Sequence, residues 1–214
     1  ALDDMDNLFQ LGRLFGRLHL LGETEDYQHR PQLTPASYGT ASREFLLEHD
    51  FLPPSLRDAY QGISRDVLAL IDEAFSAASP RAIRCHGDGH VGNILSRDGD
   101  ILLVDFDDSR MAPAIQDLWM FLSGDRDAQQ GALMELVEGY EEFREFSPRE
   151  LRLIEPLRSL RMMHHAAWLA QRWGDPAFPL AFPWFNSERY WGEHILGLRE
   201  QFALLQEPPL ALQP

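Results

Sequence analysis

The chain has 214 residues, 44% of them hydrophobic, enough to build one domain or two. A formal net charge of −15 argues against nucleic acid or an anionic membrane as partner, since both are held by basic surface. The single cysteine, Cys85, excludes an internal disulfide, and no apolar run approaches the length of a membrane span. Leu8, Leu11, Leu14, Phe15 and Leu18 recur at helical spacing and predict an amphipathic helix over about residues 4–20, with His19 at its end as a structural residue. Residues 22–40 are polar, contain Pro31, Pro35 and Gly39, and predict a loop. A short helix follows over 41–49. Pro53 and Pro54 then precede a long helix over about 55–78, with Val67, Leu68, Ile71 and Phe75 on one face.

Ala82-Ile83-Arg84-Cys85 predicts a short strand entering the segment His86-Gly87-Asp88-Gly89-His90-Val91-Gly92-Asn93. Cys85, on that apolar approach, reads as a small buried residue. Ile94-Leu95-Ser96-Arg97 and Ile101-Leu102-Leu103-Val104 flank Asp98-Gly99-Asp100. Two apolar runs around an Asp-Gly turn predict a β-hairpin. Such a hairpin folds the chain back, so that Asn93 and Asp105 meet at its open end. Asn93 follows Asp88 by five positions, the spacing of the protein-kinase catalytic loop H-R-D-x-x-x-x-N, after which a metal-binding Asp comes later.

That coincidence predicts phosphoryl transfer to a hydroxyl, a reaction that asks for positioning and charge neutralisation more than for covalent chemistry. Asp88 is the candidate acid–base residue. Asn93 and Asp105 are candidate ligands of Mg²⁺, which takes hard oxygen donors and keeps waters and substrate phosphates in its shell. His90 stands where protein kinases commonly carry a Lys, and is the candidate for touching the transferred phosphate of ATP. His86 reads as a buttress of the loop. Asp107 and Asp108 prolong the acidic run, as solvated or capping groups or as contacts to a second cation.

Beyond Pro113 a helix is predicted from about 115 to 123, then another from Asp125 to Phe143. Asp117 has two readings of equal weight: a helix cap, or an anchor for the catalytic-loop backbone. Ser147-Pro148-Arg149-Glu150 has the form of a capping box and predicts a helix running to about Trp173, bent at Pro156. His164 and His165 lie within it; adjacent positions point about 100° apart on a helix, so they read as core or surface residues. Pro176, Pro179 and Pro183 mark an aromatic loop, and a last helix spans about 187–205.

The loop at 86–93 resembles the H-G-D-x-H-x-x-N loop of the aminoglycoside phosphotransferase and choline kinase-like families. More narrowly, Val104-Asp105-Phe106-Asp107-Asp108, Gln116-Asp117-Leu118-Trp119-Met120, Tyr140-Glu141-Glu142-Phe143, Glu155-Pro156-Leu157-Arg158, Asp175-Pro176-Ala177-Phe178-Pro179 and Gln206-Glu207-Pro208-Pro209-Leu210 resemble the bacterial stress response kinase A family. Those are serine/threonine protein kinases with the small-molecule-kinase-like fold. The resemblance runs over nearly the whole chain. It implies ATP, Mg²⁺, a cytoplasmic location, Asp88 as the acid–base residue, and Asn93 and Asp105 as magnesium ligands.

The expected fold is mainly α with a small β-hairpin, residues 1–214 forming a kinase-like C-terminal lobe with its catalytic loop at 86–93 and its metal-binding segment at 104–108. A kinase of this kind begins with a β-rich lobe bearing a glycine-rich loop and a Lys–Glu pair. No G-x-G-x-x-G occurs here and no β-rich segment precedes residue 80, so the N-terminal lobe is expected to be missing and the piece alone to be silent. Asp107 stands where protein kinases have the Gly of D-F-G, and A-P-E is absent, so control through a phosphorylated activation segment is not expected. The expected acceptor is Ser or Thr of a protein. The alternatives are a small-molecule kinase acting on an aminoglycoside, choline-like or sugar hydroxyl, and a non-enzymatic lobe that binds partners.

Overall fold

A computed structural model describes residues 5–97 and 100–212. The chain divides into two compact units, one made of Ala1–Leu33, Ala78–Ile154 and Pro209–Pro214, the other of Thr34–Ala77 and Glu155–Pro208. Most described residues are helical, and the strands form two separate two-stranded antiparallel ladders. None of the helices described is long and apolar enough to cross a membrane.

The first unit is built on two helices, α1 (Met5–Gly22) and α4 (Arg126–Glu141). Leu8, Leu11 and Phe15 of α1 and Leu133, Leu136 and Tyr140 of α4 are buried, the 3.6-residue repeat that the sequence displays. Asp125 caps α4 by accepting from Ala128 N at 2.9 Å. The two helices touch backbone to backbone through glycine: a Cβ on Gly139 would run into the carbonyl of Phe9. Gly139→Ala is therefore expected to lower stability by about 1–3 kcal/mol, the usual cost of overpacking, despite alanine's better helix propensity. Chemical denaturation measures it.

Two ladders lie between these two helices in the sequence. Strand β1 (Ile83–Cys85) pairs with β4 (Arg110–Ala112), Ile83 opposite Ala112 and Cys85 opposite Arg110. Strands β2 (Ile94–Arg97) and β3 (Asp100–Leu103) form the expected hairpin, Ile94 opposite Leu103. The Asp98-Gly99 centre of the expected turn lies outside the described residues. β4 was not expected, nor was the path at Pro31–Leu33. There Leu33 N donates to Met111 O at 2.8 Å and Met111 N to Pro31 O at 3.3 Å, so the segment expected as loop lines the sheet.

The helix expected over 115–123 is two short 3-10 turns, Ala114–Asp117 and Trp119–Phe121. The expected capping box at Ser147 is likewise absent. Ser147 makes no side-chain cap, Pro148–Leu153 is a 3-10 turn, and the Glu150 carboxylate instead accepts from Ile115 N at 3.0 Å. One tertiary bond accounts for both departures, since Glu150 leaves its own helix start to hold the 114–117 turn. Burial pushes the Glu150 carboxyl up.

The second unit holds α2 (Ala41–Glu48), α3 (Pro54–Ala78), α5 (Ile154–Gln171), α6 (Ala177–Ala181) and α7 (Glu188–Leu204), α3 and α5 each reaching one residue into the first unit. Pro35–Thr40, expected as loop, is a helical turn capped by Thr34, whose side chain accepts from Ser37 N at 3.0 Å. Pro156 sits in the first turn of α5, where a missing N–H costs nothing, so the helix has no need to bend there. Ser187 caps α7 by accepting from Tyr190 N at 3.1 Å. His164 stacks on Tyr38 with ring centroids 3.9 Å apart, the structural role its position implied.

His194 of α7 is buried against Tyr60, Tyr190 and Trp191, with ring centroids 5.9, 6.0 and 5.8 Å away. Its Nε2 meets no hydrogen-bond partner among the described residues. Burial, aided by the positive charge of nearby His165 when protonated, pushes its pKa down to about 4. An unfolded histidine takes up its proton near pH 6.5. Between these values the unfolded chain binds the proton and the folded one does not, so stability falls as pH drops from about 6.5 to about 4 and levels off below. Full loss amounts to about 3 kcal/mol. His194→Phe is expected to flatten that limb of a stability-against-pH curve; an identical limb in the variant would assign it to other groups.

Candidate active site

Every residue of the candidate site belongs to the first unit. β1 delivers the chain to His86, and its ladder with β4 brings the 105–110 segment alongside. At Gly87 the backbone turns left-handed, φ +88°, and a Cβ would run into the Asp108 carbonyl. Only glycine meets both conditions. The buried His86 ring ties its own loop to the end of the hairpin: Nε2 donates to Val104 O at 2.9 Å and Nδ1 accepts from Asp88 N at 3.3 Å. Phe106 packs edge-on against that ring, centroids 4.7 Å apart. His86 is the buttress its position implied.

Asp88 and Asn93 meet. Asn93 Nδ2 donates to the Asp88 carbonyl at 3.0 Å and faces its Oδ2 at 3.4 Å. His90 begins the 3-10 turn Val91–Asn93, its Nδ1 accepting from Gly92 N at 2.9 Å. The proton is then on Nε2, which lies 3.1 Å from Asp88 Oδ2. The hairpin closes as the sequence implied, Val104 N donating to Asn93 O at 3.0 Å. This places Asp105 one residue beyond the partner of Asn93. Asp105 is exposed and left-handed, φ 64° and ψ 68°, a conformation no sequence signal announced.

The neighbouring acids differ in role. Asp108 Oδ1 is bonded at 2.7 Å by Arg110 Nη2, whose Nε also holds the Asp108 carbonyl at 2.7 Å. Arg30 Nη1 reaches the carbonyls of Asp107 at 2.5 Å and Ser109 at 3.2 Å. Two arginines thus stiffen the segment after Asp105 through its main chain. Sequence reasoning missed both, because the main-chain carbonyls they hold leave no pattern.

Asp117 anchors the loop, which decides between its two readings. Oδ2 accepts from His86 N at 2.7 Å and Oδ1 from Gly87 N at 2.8 Å. His19 Nε2 lies 2.9 Å from Oδ2. Gln116 adds a bond from Nε2 to Gly87 O at 2.9 Å. Donor atoms of His19, Cys85 and Asp117 lie within 4.8 Å of one another. They do not fit a metal: Asp117 is engaged by three donors, and burial pushes the Cys85 thiol up, so it stays protonated. The thiol donates to Ala112 O at 3.4 Å.

The model of the phosphotransferase enzyme family matches residues 4–154. Stress response kinase A of Escherichia coli (strain K12) is 42% identical over 212 residues, covering 99% of this chain and 64% of the relative. The serine/threonine protein kinase RdoA of Salmonella typhimurium (strain LT2) is similar to the same extent, 42% over 212 residues. The chain spans 64% of the length of these relatives. Among solved structures, amicoumacin kinase hAmiN, in complex with AMP-PNP, Ca²⁺ and Ami, superposes with a TM-score of 0.60 at 19% identity, over 97% of this chain and 61% of that one. A choline/ethanolamine kinase family protein from Mesorhizobium loti gives 0.62 at 17% identity, over 94% and 63%. These two likenesses are of fold.

Proposed function

This chain belongs to the phosphotransferase enzyme family, and on that premise we propose that the protein carrying it transfers the γ-phosphoryl group of ATP to a hydroxyl. The observation that carries the reading is the meeting of Asp88 and Asn93 beside Asp105 at the open end of the hairpin. Asp88 orients the acceptor hydroxyl and takes its proton as the oxygen–phosphorus bond forms and ADP leaves. The single Nε2–H of His90 faces Asp88 Oδ2, and by leaving that carboxylate it becomes the donor to the transferred phosphate.

The donor set fits Mg²⁺. Asn93 spends its amide nitrogen on Asp88, which leaves its oxygen, the atom a hard cation takes. The exposed Asp105 carboxylate supplies a second oxygen, and the left-handed backbone behind it is the kind of local strain that persists where a side chain must be aimed. When bound, the ion neutralises charge on the phosphates, which a chain of net charge −15 cannot do alone.

The 42% identity to the serine/threonine protein kinase RdoA favours Ser or Thr of a protein as acceptor. A small hydroxyl compound is the second reading, favoured by the fold shared with amicoumacin kinase. Incubating the full-length protein with Mg²⁺–ATP and with protein, aminoglycoside, choline and sugar acceptors separates them by mass spectrometry. A phosphorylated protein supports the first reading; a phosphorylated small alcohol alone replaces it; no product from any acceptor, with no nucleotide binding, ends both. In the same assay Asp105→Ala is expected to raise the Mg²⁺–ATP concentration for half-maximal rate by at least about tenfold, the scale on which lost metal-site groups weaken a metal. An unchanged value would remove Asp105 from the metal's shell.

A further inference from the structure

The polar chain that reaches the catalytic loop at Asp117 does not end at His19. His19 Nδ1 lies 3.0 Å from the Tyr140 hydroxyl. Arg144 Nη1 donates to that hydroxyl at 2.8 Å, and Arg144 Nε donates to Glu23 Oε2 at 2.9 Å. His19, Tyr140 and Asp117 are all fully buried. Donor and acceptor capacity gives the chain one direction. A guanidinium only donates, so the Tyr140 oxygen accepts from Arg144 and spends its own proton on His19 Nδ1. His19 then carries its proton on Nε2 and gives it to Asp117, which holds the amides of His86 and Gly87.

The opposite arrangement of His19 sets a ring lone pair against a carboxylate and leaves the phenol proton without an acceptor. Burial pushes the phenol of Tyr140 up, so that proton is always present. The helix pair fixes where Tyr140 stands. A Cβ on Gly16 would run into its carbonyl, and one on Gly12 would lie 2.9 Å from its nitrogen.

We propose that Tyr140 is a positioning residue for the catalytic loop: its hydroxyl, oriented by Arg144, selects the His19 tautomer that lets Asp117 hold His86 and Gly87. The effect on turnover rests on the phosphotransferase reading; the effect on His19 does not.

Tyr140→Phe in the full-length protein tests it. The ring keeps its contacts with His19 and Phe146, centroids 5.5 and 5.9 Å away, and only the hydroxyl goes. The expected result is a roughly tenfold fall in kcat with KM for Mg²⁺–ATP unchanged, the signature of a slightly misplaced reacting group. Nitrogen NMR of His19 should pass from a single Nε2–H tautomer to a mixture, and the His86 and Gly87 amide resonances should move. Phe146→Leu, which touches the same ring without a polar atom, should lower stability and leave tautomer and kcat alone. A single unaltered tautomer in Tyr140→Phe overturns the proposal, and so does an unchanged kcat. If the wild type transfers no phosphate, the functional reading fails by itself, and the tautomer with the two amide resonances still decides the role of Tyr140.

Discussion

Asp88→Ala in the full-length protein is expected to lower phosphoryl transfer by roughly 10²–10⁴-fold, the range for losing a positioned general base. That is about 3–5 kcal/mol of transition-state free energy. The loss should be chemical rather than structural, for a reason visible in the loop. Asn93 holds the Asp88 main-chain carbonyl at 3.0 Å, and Asp88 N is held by His86. Both bonds survive removal of the carboxylate, so the loop keeps its shape. On the proposed reading Asp88 serves the acceptor rather than the nucleotide, so Mg²⁺–ATP affinity should change little. Steady-state rates together with calorimetric titration of Mg²⁺–ATP check both halves. A loss of less than tenfold, or a parallel loss of nucleotide binding, would assign the base to another residue.

Asp117→Ala is expected to cost about 3–5 kcal/mol of stability, because one buried carboxylate closes several hydrogen bonds that alanine leaves unmade. The carboxylate satisfies three donors at once, His86 N, Gly87 N and His19 Nε2. Each buried donor left unmade costs about 1–3 kcal/mol, and three neighbours in one network fall short of their sum. Asp117→Asn keeps the shape and one acceptor oxygen but turns an N–H₂ toward a donor, so it should fall between the two. Denaturant melts give the stability, and hydrogen exchange of the His86 and Gly87 amides shows whether the loop is released. A change below about 0.5 kcal/mol, within the range of ordinary surface substitutions, would mean that water replaces the carboxylate without loss.

Some of this molecule is written in local patterns. The apolar stripes of α1, α3 and α7 repeat at helical spacing, and each helix lies within a few residues of its expected limits. The hairpin follows from two apolar runs around an Asp-Gly turn, since strand pairing across a short turn is a local event. The meeting of Asp88 and Asn93 was legible for the same reason: five residues in one tight loop leave little choice.

Where a side chain found a distant partner, local rules misled. Glu150 has the sequence of a helix-capping residue, yet it serves Ile115, 35 positions away. The 115–123 segment has the composition of a helix, yet it bends into two 3-10 turns so that Gln116 and Asp117 reach the loop at Gly87. β4 is three residues long and pairs with a strand 27 positions earlier, below the reach of any periodicity. The sequence by itself determined the long helices α1, α3 and α7, which strands pair in the hairpin, and which acids and amide sit at its mouth, because each depends on neighbours within a few residues. Only the tertiary structure decided that Asp117 anchors the loop, that Asp105 is left-handed, and that Tyr140 and Arg144 stand behind His19. Those are settled by satisfying buried donors and acceptors from remote parts of the chain, a requirement that acts only once the core has formed.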